Sequence, residues 1–391
     1  MRYFILIGDG MADAPMESLG GKTPLAAAHT EAMDTLARGG RMGLVRTVPQ
    51  GCAPGSDTGI LTLLGYDPRT YLTGRSALEA AGCGIPLAAG QAVCRCNFVT
   101  VSQGRLRSYS AGELSGESTA ALLDALRGDG PFSALASSLG LTFYPEAPFR
   151  LLCVGPAELL GKLETTPPHE ILDRPMNAYL PTGPGGEAMG AVMQEARRVL
   201  AGTPPHSATD LWPWAPGRAM ALPAFASLHK KRGALITATP LVRGIGALAG
   251  LSLLCPPGAT GDPHTDYRAK AEAAIACFEE GQELVIVHVE ASDACSHSRD
   301  LPGKLRAIEA IDQQLLAPVA RYLSRQPSRI LVLPDHVTHT ATGRHDAAPV
   351  PWLLYDSSEK KNGGLPYTEE AAGRTGQRYE DGTRLIFDFL E

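Results

Sequence analysis

Three apolar runs of strand length, each ending in acidic or histidine residues, constrain the fold more than any other feature of the chain. Residues 3–7 (YFILI) lead into Gly8-Asp9-Gly10. Residues 283–289 lead into Glu290-Ala-Ser-Asp293-Ala-Cys-Ser-His297, and residues 329–333 lead into Pro334-Asp335-His336, with His345 following. Continuous rather than alternating hydrophobicity suits central strands of a parallel sheet covered on both faces. Groups at the carboxyl ends of such strands lie where open α/β sheets place their ligands. Asp293 and His297 are one helical turn apart, so a helix or tight loop presents both on one side. An isolated Asp-His pair is usually a turn or a cap. Three strand ends offering Asp or His at one sheet edge argue instead for a metal site. Mixed carboxylate and imidazole donors suit manganese, zinc, iron or magnesium and disfavour a pure Mg²⁺ or Ca²⁺ cage.

A fourth stretch, PGSDTGILTLLG at 54–65, adds a serine. Ser56 stands at a loop-to-helix junction, where the positive helix end favours an anion such as phosphate. Alone, Ser56 reads as a helix cap. With Asp9, Asp293, His297, Asp335, His336 and His345, it becomes a seventh candidate ligand. Cys295 and His339 are ligands by type only; we read the first as pointing away and the second as a loop histidine.

Around these stretches the pattern predicts a helix over 23–38, a strand over 41–48 and the helix after Ser56. Beyond Pro86 come short strands at 92–101, 106–109, 141–144 and 149–154, with a helix at 117–127. They form a small inserted α+β unit. A Pro/Gly-rich connection follows at 165–185, then a helix at 186–201 and an irregular segment at 204–223 carrying Trp212 and Trp214. From Gly233, strands at 234–237, 251–255, 283–289 and 329–333 alternate with helices at 241–249, 267–280 and 301–323. That rhythm implies parallel strands with right-handed crossovers. The expected fold is α/β: a mostly parallel sheet with helices on both faces, built from 1–83 and 221–391, interrupted by a smaller unit at 84–220.

The 391 residues, 44% hydrophobic and 19% charged, suit a soluble protein of more than one core. A formal charge of -6 disfavours nucleic acid and anionic membrane as partners but not an anionic substrate, because a metal site reverses the field locally. Scattered cysteines suggest free thiols in a reducing cytoplasm. The N-terminal apolar run is too short for a signal peptide or anchor. A homo-oligomer is left open.

The motifs GDGM at 8–11, PGSDT at 54–58, GYDP at 65–68, TGR at 73–75, RCNFVTV at 95–101, TTPPHEI at 165–171, HVEASDACSH at 288–297 and DH…H…PVP at 335–351 occur in one family's order. The chain resembles the archaeal-type, cofactor-independent (2,3-bisphosphoglycerate-independent) phosphoglycerate mutases of the alkaline phosphatase superfamily. The resemblance runs from Met1 to about Tyr355.

It implies an alkaline-phosphatase-like core and an inserted substrate-binding lid. It also implies two divalent ions, with Mn²⁺ first and Mg²⁺, Zn²⁺ or Co²⁺ as alternatives. Asp9, Ser56, Asp335 and His336 would hold one ion, and Asp293, His297 and His345 the other. Ser56 would be the catalytic nucleophile, carrying the phosphoryl group between 3- and 2-phosphoglycerate. Arg75, Arg95, Asn97, Arg150 and Arg243 would bind the small phosphorylated substrate. The chain departs from the family where Leu151 follows Arg150, where Asp346 follows His345, and at Asp293-Ala-Cys-Ser-His297. Rival readings are another phosphotransferase or phosphatase on the same core, such as a homoserine kinase, and a non-catalytic metabolite-binding descendant.

Overall fold

The computed structural model describes residues 1–203, 207–359 and 364–391, so 204–206 of the segment read as irregular lie outside the described residues. In chain order the strands are β1 Arg2–Gly8, β2 Arg41–Val45, β3 Gln91–Ser102, β4 Arg105–Ser108, β5 Thr142–Ala147, β6 Arg150–Pro156 and β7 Asp210–Arg218. They continue with β8 Gly233–Ile236, β9 Ser252–Leu254, β10 Leu284–Val289, β11 Ser328–Leu333, β12 Val337–His339, β13 Arg344–Asp346, β14 Val350–Asp356 and β15 Arg378–Tyr379. The chain divides into one unit of Met1–Leu72 with Ala221–Glu391 and another of Thr73–Met220.

The first unit is built on an eight-stranded sheet in the order β15-β2-β14-β11-β1-β10-β8-β9. It is mostly parallel; β14 alone runs against both neighbours, β11 and β2. Ile7 pairs with both His288 and Leu333, so β1, β10 and β11 end at one level. Asp9, Glu290 and Pro334 therefore leave the sheet side by side. Phe4, Leu6, Val285, Val287, Ile330 and Val332 turn to one face and join a core with the helices Glu31–Gly39 and Tyr267–Glu279. On the other face Tyr3 meets Phe389 of the Arg384–Leu390 helix. There also Gly246 of the Pro240–Leu248 helix comes so close to Leu235 that an added Cβ would lie 2.6 Å from its side chain. Helices cover both faces, as the continuous hydrophobicity of the strands requires.

The helix expected over 23–38 is two helices, Pro24–Ala27 and Glu31–Gly39. The break is tertiary: Asp312 accepts hydrogen bonds from the N–H groups of Ala32 and Met33, and Glu309 accepts one from His29. These carboxylates cap a second N-terminus that local pattern does not show. Asp312 itself lies in a π-helical turn, Ile311–Leu316, within the helical stretch expected at 301–323.

The second unit is an antiparallel sheet, β4-β3-β6-β5, with β7 on the other side of β3. The segment read as irregular thus contains a strand. Pro213 and Pro216 disguise it, and β7 tolerates them because it pairs with β3 only, as an edge strand. Ala92, Cys94, Cys96 and Phe98 of β3 face a core closed by the helices Gly116–Gly128 and Gly186–Ala201.

Asp312 is buried, and desolvation, helped by Asp34 and Glu31, raises its carboxyl from 3.8 to about 6 against the lowering effect of its two backbone bonds. The folded chain therefore binds this proton more tightly than the unfolded chain. Stability from this group is full below pH 3.8 and is lost as pH rises to about 6. The loss should be about 2–3 kcal/mol. Asp312→Asn should flatten the chemical-denaturation stability profile across that window. An unchanged slope would refute it.

Candidate metal centre

Asp9 follows β1, and Asp335-His336 follows β11; their ligand atoms lie within 4.8 Å of one another, and all three residues are buried. Ser56 opens the Ser56–Leu63 helix. Gly55, not Ser56, occupies the capping position. The Ser56 hydroxyl instead donates to Asp9 Oδ2 at 3.1 Å and lies 3.3 Å from His336 Nε2. A second group joins Asp293 and His297 of the Ala291–His297 helix to His345 of β13. Here His297 Nε2 is 3.0 Å from Asp293 Oδ2, and His345 Nε2 is 2.9 Å from His297 Nε2 and 3.3 Å from Asp293 Oδ1. The four stretches singled out in the sequence thus converge on two ligand groups.

The donor set fits cations. Among the described residues, Asp9 Oδ1 and Asp335 Oδ2 are buried without a hydrogen bond, each 3.4 Å from His336 Nε2, and a buried carboxylate oxygen without a hydrogen bond is costly. Burial, then the Asp335 and Asp293 charges, pushes the Asp9 carboxyl well above its usual range. Burial also disfavours charge on Asp293, but hydrogen bonds from His297 and His345 outweigh it and hold the carboxyl well below its usual range. The Asp293 hydrogen bond raises His297 in return. Desolvation lowers His336, leaving it a neutral imidazole able to offer a lone pair.

Several supporting residues escaped the sequence reading. Thr338 of β12 donates to Asp293 Oδ1 at 2.7 Å, leaving its oxygen to accept from His336 Nδ1 at 3.1 Å. That tautomer bares His336 Nε2 toward Ser56 and Asp9. His288, the partner of Ile7, reaches Asp9 Oδ2 at 3.1 Å and Thr237 at 3.2 Å, and burial lowers its pKa to about 4. The fully buried Lys304 bridges Asp13 and the Thr338 carbonyl at 2.9 and 2.8 Å. Gly10 turns the chain at φ +61°, where a Cβ would stand 2.7 Å from both Asp293 Oδ1 and Thr338 Oγ1. The available signal was short: polar residues flanking candidate ligands, with no spacing rule to mark them.

The substrate candidates are divided. Arg243 lies half-buried in the Pro240–Leu248 helix of the first unit. In the second unit Arg75 opens the Arg75–Gly82 helix. Arg95 is buried against Glu79 and 4.5 Å from the Trp214 ring. Asn97 accepts from Trp214 Nε1 at 2.8 Å and donates to the Tyr109 carbonyl, while Arg150 pairs with Glu146. His339 contacts Asp13 and Asp346, outside both ligand groups, and Cys295 packs beside Gly303.

Residues 37–205 match the family model described as 2,3-bisphosphoglycerate-independent phosphoglycerate mutase. The Methanosarcina mazei protein of that name is 39% identical over 387 residues, covering 96% of each chain. The chain belongs to this family. A Geobacter sulfurreducens protein named as a probable mutase of the same kind is 39% identical over the full length of both chains. Two solved structures share the fold at 24% identity across the whole chain. The PH0037 protein of Pyrococcus horikoshii has a TM-score of 0.79, with 97% of that chain covered. The cofactor-independent phosphoglycerate mutase of Thermoplasma acidophilum has a TM-score of 0.67, with 99% covered.

In this mutase-family chain, Thr338→Val keeps the side-chain shape and removes the hydroxyl between Asp293 and His336. Divalent-metal affinity, titrated with Mn²⁺ by calorimetry, should fall about 10–100-fold, with the apo chain still folded. Unchanged affinity would show that the hydroxyl orients nothing.

Proposed function

We propose that the chain interconverts 3-phosphoglycerate and 2-phosphoglycerate through a phosphoserine on Ser56. The observation that carries this reading is the Ser56 hydroxyl itself: it makes no cap and is aimed at Asp9 and His336. Two divalent ions, one on Asp9, Ser56, Asp335 and His336 and the other on Asp293, His297 and His345, would supply the positive charge that lets the serine ionise and offsets phosphoryl charge. Manganese, which the family resemblance puts first, is compatible with the mixed carboxylate and imidazole set.

Ser56 then attacks the phosphoryl group in line, from the start of a helix whose N–H groups favour the anion. The glycerate turns over, and its other hydroxyl takes the group back from Ser56. Arg75, Arg95, Asn97, Arg150 and Arg243 supply phosphate and carboxylate recognition in this reading. The inserted segment at 84–220 has the task of excluding water while the phosphoserine stands. No helix among the described residues is long and apolar enough to cross a membrane. All eight cysteines are free, which suits a reducing cytoplasm.

Turnover of 3-phosphoglycerate with Mn²⁺, set against ATP with homoserine, separates the mutase from the rival phosphotransferase. Chelation should abolish activity and Mn²⁺ should restore it. Rapid quench with substrate followed by mass spectrometry should find phosphate on Ser56. Ser56→Ala should remove that phosphate and nearly all turnover, at a stability cost of no more than about 1 kcal/mol. Wild-type turnover in Ser56→Ala would end this reading.

A further inference from the structure

The core of the second unit contains three thiols that the reaction does not use. Cys94 and Cys96 are two apart on β3, so their side chains share a face, and Cys153 of β6 lies directly opposite Cys94 in the antiparallel register. Their sulfur atoms all lie within 4.8 Å of one another, and all three residues are 0% exposed. Their surroundings are apolar: Ala92, Phe98, Leu122, Leu151 and Leu211 belong to the same cluster. Arg95, between the two β3 cysteines, points to the opposite face, where it pairs with Glu79. The main influences on each thiol are burial and the other two sulfurs, with no cationic side chain among them.

We infer that Cys94, Cys96 and Cys153 form a three-sulfur binding site for a trivalent thiophilic metalloid such as arsenite. Thiolates select soft acceptors over the hard and borderline ions that suit Asp9 and Asp335. Charge then decides among the soft ones. Three thiolates around Zn²⁺ would leave a buried net negative charge and an empty fourth position, which structural zinc sites rarely accept. With Cu⁺ the excess negative charge is larger. With As(III) the complex is neutral, so a core without cations imposes no charge penalty.

The reaction balances without a redox step. Each thiol sulfur forms a bond to arsenic as one As–O bond of arsenous acid breaks. Each thiol proton leaves with a hydroxide as water, and arsenic stays trivalent. Burial means that the core must open for entry, so binding is slow and, once made, stabilises the folded unit. Simple packing as small apolar side chains is the alternative role for these cysteines.

The test uses the full chain, reduced with a phosphine and incubated with arsenite. Native mass spectrometry should show one arsenic gained per chain with three hydrogens lost. X-ray absorption at the arsenic edge should show three sulfur neighbours. Cys83→Ser with Cys255→Ser removes the two exposed thiols and should leave both signals intact. Cys96→Ala should abolish the three-sulfur signature. Should Cys96→Ala fail to fold, the chain lacking the exposed thiols decides the matter alone. Absence of bound arsenic, fewer than three sulfur neighbours, or a full signal in Cys96→Ala would overturn the inference.

Discussion

The common register of β10, β1 and β11 is the constraint on which the rest of the first unit depends. Three parallel strands end level, so the chain leaves them with Asp9, Glu290 and Asp335 crowded at one edge. Carboxylates packed this closely repel one another and lose hydration, as the displaced Asp9 carboxyl shows. The surrounding structure holds the groups in place against that cost. Lys304 neutralises Asp13 beneath the hairpin of β12 and β13, Lys270 anchors the His288 carbonyl, and Gly10 leaves the room that any Cβ would fill.

Much of this was legible in the sequence because it follows from short-range pattern. Unbroken apolar runs identified β1, β10 and β11, and strand-end chemistry identified Asp9, Asp293, His297, Asp335, His336 and His345 as groups that would meet. The less legible parts depend on distant partners. The helix at 23–38 breaks because Asp312 arrives from nearly three hundred residues away to cap its second half. β7 was hidden because its prolines are acceptable only on an edge strand, and edge position is a property of the sheet. Thr338 and His288 act through hydrogen bonds to candidate ligands, and a lone Thr or His in a strand carries no mark of that role.

The two units use cysteine and histidine in opposite ways. In the first, imidazoles and carboxylates gather at a polar edge with unsatisfied oxygens. In the second, three sulfur atoms gather on an inward sheet face within a hydrophobic core. The gathered carboxylates and imidazoles thus lie on a different unit from the gathered sulfurs, so ions that prefer one cluster have little reason to compete for the other.

The hairpin of β12 and β13 spans both ligand groups. Thr338 on one strand joins Asp293 to His336, and His345 on the other pairs across the hairpin with Thr338 itself. Whatever draws His336 into place also fixes the hydroxyl that orients Asp293, and the reverse holds equally. In the proposed two-ion site the two occupancies are thereby linked: whatever factor filling one position imposes on the affinity of the other applies equally in reverse, since a coupling free energy between two binding events belongs to both.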